Sequence, residues 1–417
     1  MSTGLGLLTF STLYPSERRP HHGVFVETRL RQLVAGGVVR STVLAPVPWY
    51  PSWAPEHGRW IRSGAIPAIE YRHGLVVHHP RHVAIPRIGM TVAPALLAAS
   101  GLAWLARRST AERADYDLVD AHYVYPDGVA AVALARTLRR PLVITARGSD
   151  VTQLPDHAGP RLMIRRAIRA ADALIAVSSA LGQRLVELGA DPARVHVLRN
   201  GVDLELFTPP ADRAQARRQL GLGDGPVLLS VGHLIERKGH DRVITALTLL
   251  PGSVQLLVVG EGPLDGELRA LAERLGVAGR VRFLGLLPPH ALPAIYGAAD
   301  LLVLASSREG WANVLLEAMA CGTRVVASPI PGNPEVVRSA AAGVIADSNT
   351  PVGLAAAIAA LLRSPADRDG ARAYAEGFGW DAVSAGQLTV FRTARDRYDE
   401  RRTARRRPVS DSPRVAG

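Results

Sequence analysis

Short apolar runs alternate with stretches of helical periodicity along nearly the whole chain, and this alternation restricts the fold more than any other feature of the sequence. Strand-like runs occupy residues 4–10, 38–44, 118–122, 141–145 and 173–177, then 227–231, 254–259, 281–284, 301–304 and 324–327. Helical patterns between runs bounded by turn residues predict a parallel α/β architecture. The run Leu301-Leu302-Val303-Leu304 shows no polar alternation, as expected of a strand covered by helices on both faces. At 417 residues the chain exceeds the size at which one core stops growing, so two domains with a cleft between them are expected. The Gly-, Pro- and Asp-rich stretch 200–226 separates the two strand–helix series and is read as the linker. The expected division is a first domain over 1–200, a second over 201–377, a helix over 378–395, and a disordered basic tail over 396–417.

Hydrophobic residues make up 47% and charged residues 21% of the chain, the balance of a globular protein with a sizeable core. Cys321 is the single cysteine, so no internal disulfide forms, and no Cys/His cluster has zinc-ligand spacing; a reducing, cytoplasmic setting is expected. The apolar stretch 4–10 has no basic region ahead of it and is too short for a signal-peptide core. The run 91–106 falls short of the ~20 apolar residues a spanning helix needs. Net charge is +12, with about +10 in residues 1–200, about −1 in 201–395 and about +3 in the tail. A basic first half beside an apolar helix suits an anionic membrane surface or a lipid diphosphate, and equally suits plain solvated arginines. No nucleic-acid-binding module accompanies the charge, so nucleic acid is not an expected partner. Lys238 is the one lysine among 49 Lys and Arg residues. An ammonium is a compact point charge and a guanidinium a planar fork, so this position reads as one that needs the compact form.

The strongest chemical element follows the strand at 301–304: a loop, Ser306-Ser307-Arg308-Glu309-Gly310-Trp311-Ala312, then a helix from Asn313 that Gly322 ends. In a parallel sheet this loop leaves the carboxyl end of a strand, where open α/β sheets bind ligands. Backbone N–H groups of Asn313, Val314 and Leu315 at the helix start make an anion site suited to a diphosphate, with Asn313 or the preceding loop as cap. Glu309 in the loop is placed to accept from sugar hydroxyls and Glu317, one turn into the helix, from the hydroxyls of a ribose. On spacing alone, a chance pairing of two glutamates eight positions apart is the stronger reading.

The segment Glu309-Gly310 to Glu317-Ala318, closing at Gly322, resembles the signature of retaining glycosyltransferase family 4, of GT-B fold. Further stretches resemble the family in order: Asn200-Gly201-Val202-Asp203 with Phe207, Gly232 to Gly239, Gly260-Glu261-Gly262-Pro263, Phe283-Leu284-Gly285, and Gly332 to Glu335. The resemblance covers about 390 residues and implies two Rossmann-like domains whose parallel sheets face across a cleft. It implies a nucleotide-diphosphate sugar as donor, with no metal and no cofactor. Lys238 then contacts the diphosphate, Glu317 the ribose and Glu309 the donor sugar, with Gly23, His233, Arg237, Gly310, Trp311, Asn313, Val314 and Leu315 completing the donor site. Glu309, Lys238 and Arg147 are assigned to catalysis, and His122 and Asp150 to the acceptor side.

Two positions depart from the family pattern. His233 stands where an arginine often precedes the lysine, and Arg147-Gly148-Ser149-Asp150 stands where a histidine often precedes Gly-Ser-Asp. A guanidinium is a donor only, so Arg147 cannot serve as a base. The opening segment, with Gly23 before a helix from about Phe25, and Tyr125-Pro126-Asp127-Gly128 resemble the branch that includes a teichuronic acid biosynthesis transferase. That branch implies a glycan or polyprenyl-linked acceptor in cell-surface polysaccharide synthesis, met at the inner face of the plasma membrane. Asp115-Tyr116-Asp117 spells a metal-binding D-x-D without supporting context, and the glycines at 260–266 imitate a dinucleotide fingerprint with the wrong last spacing. Two other functions share the fold class: a nucleotide-sugar epimerase, and a protein that binds glycan or nucleotide without turnover.

Overall fold

The computed structural model describes residues 4–50, 66–85 and 89–406. These form two compact units, the first from the described residues up to Val177, Leu181–Leu198 and those from Ser384 onward, the second from Ser178–Ala180 and Arg199–Val383.

The first unit is built on an eight-stranded sheet. Its strands are β1 (Leu5–Phe10), β2 (Val39–Leu44), β4 (Ile69–Arg72), β5 (Leu75–His78), β7 (Leu118–His122), β8 (Leu142–Ala146), β9 (Ala173–Ala176) and β10 (Val195–Val197), with β3 (Val47–Trp49) and β6 (Arg81–Val83) pairing apart. The order is β10-β9-β8-β7-β1-β2-β5-β4, and every neighbouring pair is parallel except β4 with β5. The chain lays strands outward from β1 to one side and then from β7 to the other, so the topological switch lies between these two, with the carboxyl ends of β1, β2, β5, β7 and β8 on one edge. The β4–β5 hairpin was not expected. Its turn uses His73 at φ 48° and Gly74 at φ 79°, and His-Gly lacks the Asn-Gly or Asp-Gly signature of such turns.

The second unit carries a six-stranded, fully parallel sheet in the order β13-β12-β11-β14-β15-β16. Its strands are β11 (Val227–Val231), β12 (Gln255–Val259), β13 (Val281–Gly285), β14 (Leu301–Leu304), β15 (Arg324–Ala327) and β16 (Gly343–Ile345). The uninterrupted apolar run of β14 is buried along its whole length, as two-sided helix cover requires. The switch point falls between β11 and β14.

One expectation, that of the tail, is corrected. The stretch 200–226 is packed into the second unit, within the 201–377 expected of the second domain. Asp203 accepts from the N–H groups of Glu205 and Leu206, and Arg213 and Arg217 of the helix Arg213–Gln219 clasp Asp300 at 2.6 and 3.1 Å. The tail is ordered beyond its expected start at 396: one helix runs Trp380–Arg406, its last turns rich in arginine, which has high helix propensity. Val390, Phe391 and Ala394 of that helix are buried in the core of the first unit, and Arg401 pairs with Asp172. Residues 407–417 of the expected tail lie outside the described residues. Among the described residues no helix is long and apolar enough to cross a membrane; the helix Gly89–Ala106 buries Leu97 and Leu105 instead.

Candidate active site

In the second unit the loops after β11 and β12 are pressed together by glycine. A Cβ on Gly260, at φ 139°, would lie 1.9 Å from the carbonyl oxygen of Gly232. The chain then turns through Glu236–Lys238 and enters the helix His240–Leu247 at Gly239, whose φ of 69° and approach to the Ala305 carbonyl exclude any side chain. These contacts bring the loop after β11 against the loop after β14. Lys238 Nζ donates to Glu309 Oε1 at 2.7 Å, and Ser306 Oγ donates to the same oxygen at 2.7 Å. Arg237 Nη1 stands 3.5 Å from Glu309 Oε2. The carboxylate is 8% exposed and the ammonium 16%, so the pair is shielded yet reachable.

The helix after this loop is Asn313–Ala320. Asn313 is its first residue rather than its cap: Ala312 holds the cap position without a side-chain bond, and Asn313 Oδ1 accepts from Asn200 Nδ2 at 3.1 Å. The Leu315 N–H turns back to the Ala312 carbonyl at 3.1 Å, so of the expected trio Asn313 and Val314 carry the outward backbone donors. Half-buried Glu317 accepts from the Tyr296 hydroxyl through Oε2 at 2.7 Å. Burial raises its carboxyl above the ordinary glutamate range, while the Tyr296 hydrogen bond and the Lys238 charge oppose the rise. Trp311 is buried, its ring 6.4 Å from that of Phe378 and 5.8 Å from the Arg199 guanidinium. Gly310 lies beside Gly332, while His233 is exposed.

Tyr296 and His240 were not found by sequence reasoning. Tyr296 sits on the helix before β14, at no informative spacing from Glu317. His240 is buried behind Lys238, its Nδ1 2.9 Å from Ser230 Oγ, and burial, then the Lys238 charge, push its imidazole down to about 4.

In the first unit β7 and β8 end side by side and bring His122 next to Arg147. Arg147 Nη2 donates to His122 Nδ1 at 2.9 Å, and His122 Nε2 faces Asp120 Oδ2 at 3.1 Å. Arg147 also lies 5.2 Å over the ring of Phe25. Arg29, fully buried, joins the cluster electrostatically through Asp120 and donates to Gln387 Oε1 at 2.7 Å and to the Leu198 carbonyl at 3.1 Å. Burial pushes Arg29 down to about 9 and Arg147 to about 10, and keeps His122 below the ordinary histidine value. The two residues expected on the acceptor side are thus engaged by the protein. Both ring nitrogens of His122 face neighbours, and Asp150, fully buried, accepts from the backbone N–H groups of Val124, Arg147 and Gly148. Gly23 caps the helix Val24–Ala35 at φ 73°, and a Cβ there would stand 2.3 Å from the Leu13 carbonyl oxygen. The D-x-D carboxylates have separate partners, Asp117 the Gly6 N–H and Asp115 the Arg40 guanidinium.

Residues 22–206 match the description Glycosyltransferase Family 4, and residues 212–378 match Glycosyl transferases group 1. D-inositol 3-phosphate glycosyltransferase 1 of Catenulispora acidiphila is 36% identical over 362 residues, spanning 79% of this chain and 83% of that protein. The chain belongs to glycosyltransferase family 4. A second relative of this transferase, the D-inositol 3-phosphate glycosyltransferase of Xylanimonas cellulosilytica, is 35% identical over 70% of this chain and 76% of its own. Both relatives are inositol-phosphate enzymes, not members of the teichuronic acid branch that the opening motifs resemble. Among solved structures, sucrose-phosphate synthase from Thermosynechococcus elongatus superposes with a TM-score of 0.76 at 22% identity over 93% of this chain and 98% of that one. HepE of Anabaena, solved with UDP-glucose, gives 0.66 at 22% identity over 96% and 99%. These likenesses fix the fold of the transferase as GT-B. The enzyme moves a sugar from a nucleotide-diphosphate donor to an acceptor.

Proposed function

We propose that the transferase works with retention at the anomeric carbon and without a metal, the charge of the departing nucleoside diphosphate falling on Lys238, Arg237 and the first turn of the helix Asn313–Ala320. The 2.7 Å contact between Lys238 and Glu309 is the observation that carries this reading. The diphosphate shares the ammonium with Glu309, whose remaining acceptor capacity takes hydroxyls of the donor sugar. Each fixed donor aimed at the developing charge contributes ~2 to 4 kcal/mol to lowering the barrier. Glu317 holds the ribose: a carboxylate oxygen has two acceptor sites, so the Tyr296 hydroxyl leaves room. Arg147, held by His122 over Phe25, is the cation of the first unit, a positioning donor and not a base. UDP and UDP-glucose in HepE support a UDP-sugar donor.

For the acceptor we infer a glycan or polyprenyl-linked intermediate of surface polysaccharide synthesis. The helix Ala158–Ala170 supports a peripheral approach to the anionic inner face of the plasma membrane, since it exposes Arg161, Arg165, Arg166 and Arg169 beside Leu162. The names of the two relatives favour a second reading, a phosphorylated cyclitol acceptor.

Saturation-transfer NMR with UDP, GDP and ADP sugars in EDTA tests the donor reading. Binding of one nucleotide that weakens in Lys238→Ala and Glu317→Ala supports it, with the anomeric signal of the product reporting stereochemistry. Interconversion of donor epimers without nucleotide release supports an epimerase, and binding without turnover on any acceptor a non-catalytic protein.

A further inference from the structure

Asp120 is fully buried in the middle of β7, between β1 and β8. Neither of its oxygens meets a hydrogen-bond donor in good geometry among the described residues, whereas Asp150 accepts from three backbone N–H groups. A buried carboxylate that satisfies no backbone group is costly, and an apolar residue of similar volume would serve the fold better. What Asp120 does must therefore lie with the side chains around it. His122 Nε2 faces its Oδ2 at 3.1 Å, and its charge acts on the guanidiniums of Arg29 and Arg147.

The direction of this chain of contacts is set by Arg147, whose Nη2 donates to His122 Nδ1 at 2.9 Å. A guanidinium is a donor only, so Nδ1 carries no proton, and the one proton of the neutral ring sits on Nε2, against Asp120. The chain ends on Arg147, 7% exposed and directly after β8. Arg147 is fixed at two further points, its backbone N–H on Asp150 and its guanidinium 5.2 Å over the Phe25 ring. Protonation of His122 would set an N–H where Arg147 needs an acceptor. Burial holds the imidazole below the ordinary histidine value against the pull of Asp120, and Arg147 and Arg29 add to the fall. Thr9 and Thr145, in register with Asp120 and His122 on the flanking strands, are neutral, as is Gln387 of the last helix, which accepts from Arg29 Nε at 2.7 Å.

We propose that Asp120 and His122 are positioning residues for the transfer reaction: Asp120 keeps His122 in the tautomer whose Nδ1 accepts, and His122 keeps Arg147 in its working geometry, so that the arginine serves only while this imidazole is neutral. The assignment rests on the reading of Arg147 as the cation of the first unit. To that reading it adds two residues and a pH at which the arrangement fails.

The test is a double-mutant cycle on the full chain, with kcat read as nucleoside diphosphate released from saturating UDP-glucose, GDP-mannose or ADP-glucose, whichever the wild type turns over. His122→Gln and Asp120→Asn should each lower kcat about 10²-fold with little change in the donor KM. Neither should lower it further in an Arg147→Ala background, because both act through that one side chain. In the wild type kcat should fall as pH drops below the ordinary histidine value of about 6.5. His122→Asn, whose amide oxygen replaces the Nδ1 acceptor and does not titrate, should keep more of kcat than His122→Gln and lose that acid fall. Thermal unfolding identifies any variant that fails to fold, and the comparison then rests on the pH profiles of wild type and Arg147→Ala, the second of which should lack the fall. Losses that add to that of Arg147→Ala, or the same acid fall in Arg147→Ala as in the wild type, overturn the proposal and leave the cluster a purely structural role. Wild-type kcat in Arg147→Ala would instead overturn the reading of Arg147 beneath it, and no release by the wild type from any of the three donors would overturn the donor reading.

Discussion

The Lys238 ammonium donates to the Glu309 carboxylate at 2.7 Å across the switch point of the second sheet, and Ser306 donates to the same oxygen. One residue is the only lysine of the chain and the other lies in the loop after β14, so their meeting depends on the packing of Gly239 against Ala305.

Replacing Lys238 tests the need for a compact charge. Lys238→Ala should lower kcat/KM by about 10² to 10³, as loss of one transition-state donor does. Lys238→Arg should recover only part of this, because a planar fork does not reproduce the contact with Glu309. Steady-state kinetics at saturating acceptor read both effects.

Tyr296 is fully buried with its hydroxyl on Glu317. Tyr296→Phe should destabilise the protein by about 1 to 3 kcal/mol, the cost of leaving a buried acceptor unpaired. Urea unfolding measures this. The same change removes one of the two influences opposing the rise of the Glu317 carboxyl. Donor affinity, which needs the carboxylate, should then fall off at a higher pH than in the wild type as acid is added.

Much of this architecture was legible in the sequence. The strands β11, β14 and β15 stand out because both faces are buried, so each reads as a mainly apolar run between turn residues. The segments that bring Lys238 to Glu309 were legible in 232–239 and 306–322, although His233 departs from the family pattern in the first of them. What remained hidden arises from contacts distant in sequence: Tyr296 reaches Glu317 across two elements, and Asp120 and Arg29 meet Arg147 only through the sheet. Asp150 resembles a reacting carboxylate in its motif, yet its oxygens are taken by backbone N–H groups that no periodicity announces.

His240 gives the folded state a pH dependence of known sign. Its imidazole is pushed down from 6.5 to about 4, so between these values the unfolded chain holds a proton that the folded one does not. Stability should fall as pH drops through this window, by an amount on the order of 3 kcal/mol. Urea midpoints at pH 7 and pH 4.5 should therefore differ less in His240→Gln than in the wild type.

The buried cluster of the first unit sets Arg29 and Arg147 around Asp120. Asp120→Ala should cost about 3 to 5 kcal/mol, because it leaves buried cations without their carboxylate. Arg147→His, which restores the family's more frequent residue, removes one of those cations and should cost less. Thermal unfolding ranks the two.

Gly23 should tolerate no side chain. Gly23→Ala forces φ 73° on an L-residue and drives its Cβ into the Leu13 carbonyl, so a loss of at least about 1 to 2 kcal/mol is expected in urea unfolding.

The most direct test of the donor site is isothermal titration of UDP in EDTA into wild type, Lys238→Ala and Glu317→Ala. Metal-free binding that drops at least about tenfold in both variants is the predicted result. Equal binding by all three proteins, or binding that appears only when a divalent cation is added, would contradict a metal-independent diphosphate site built on Lys238.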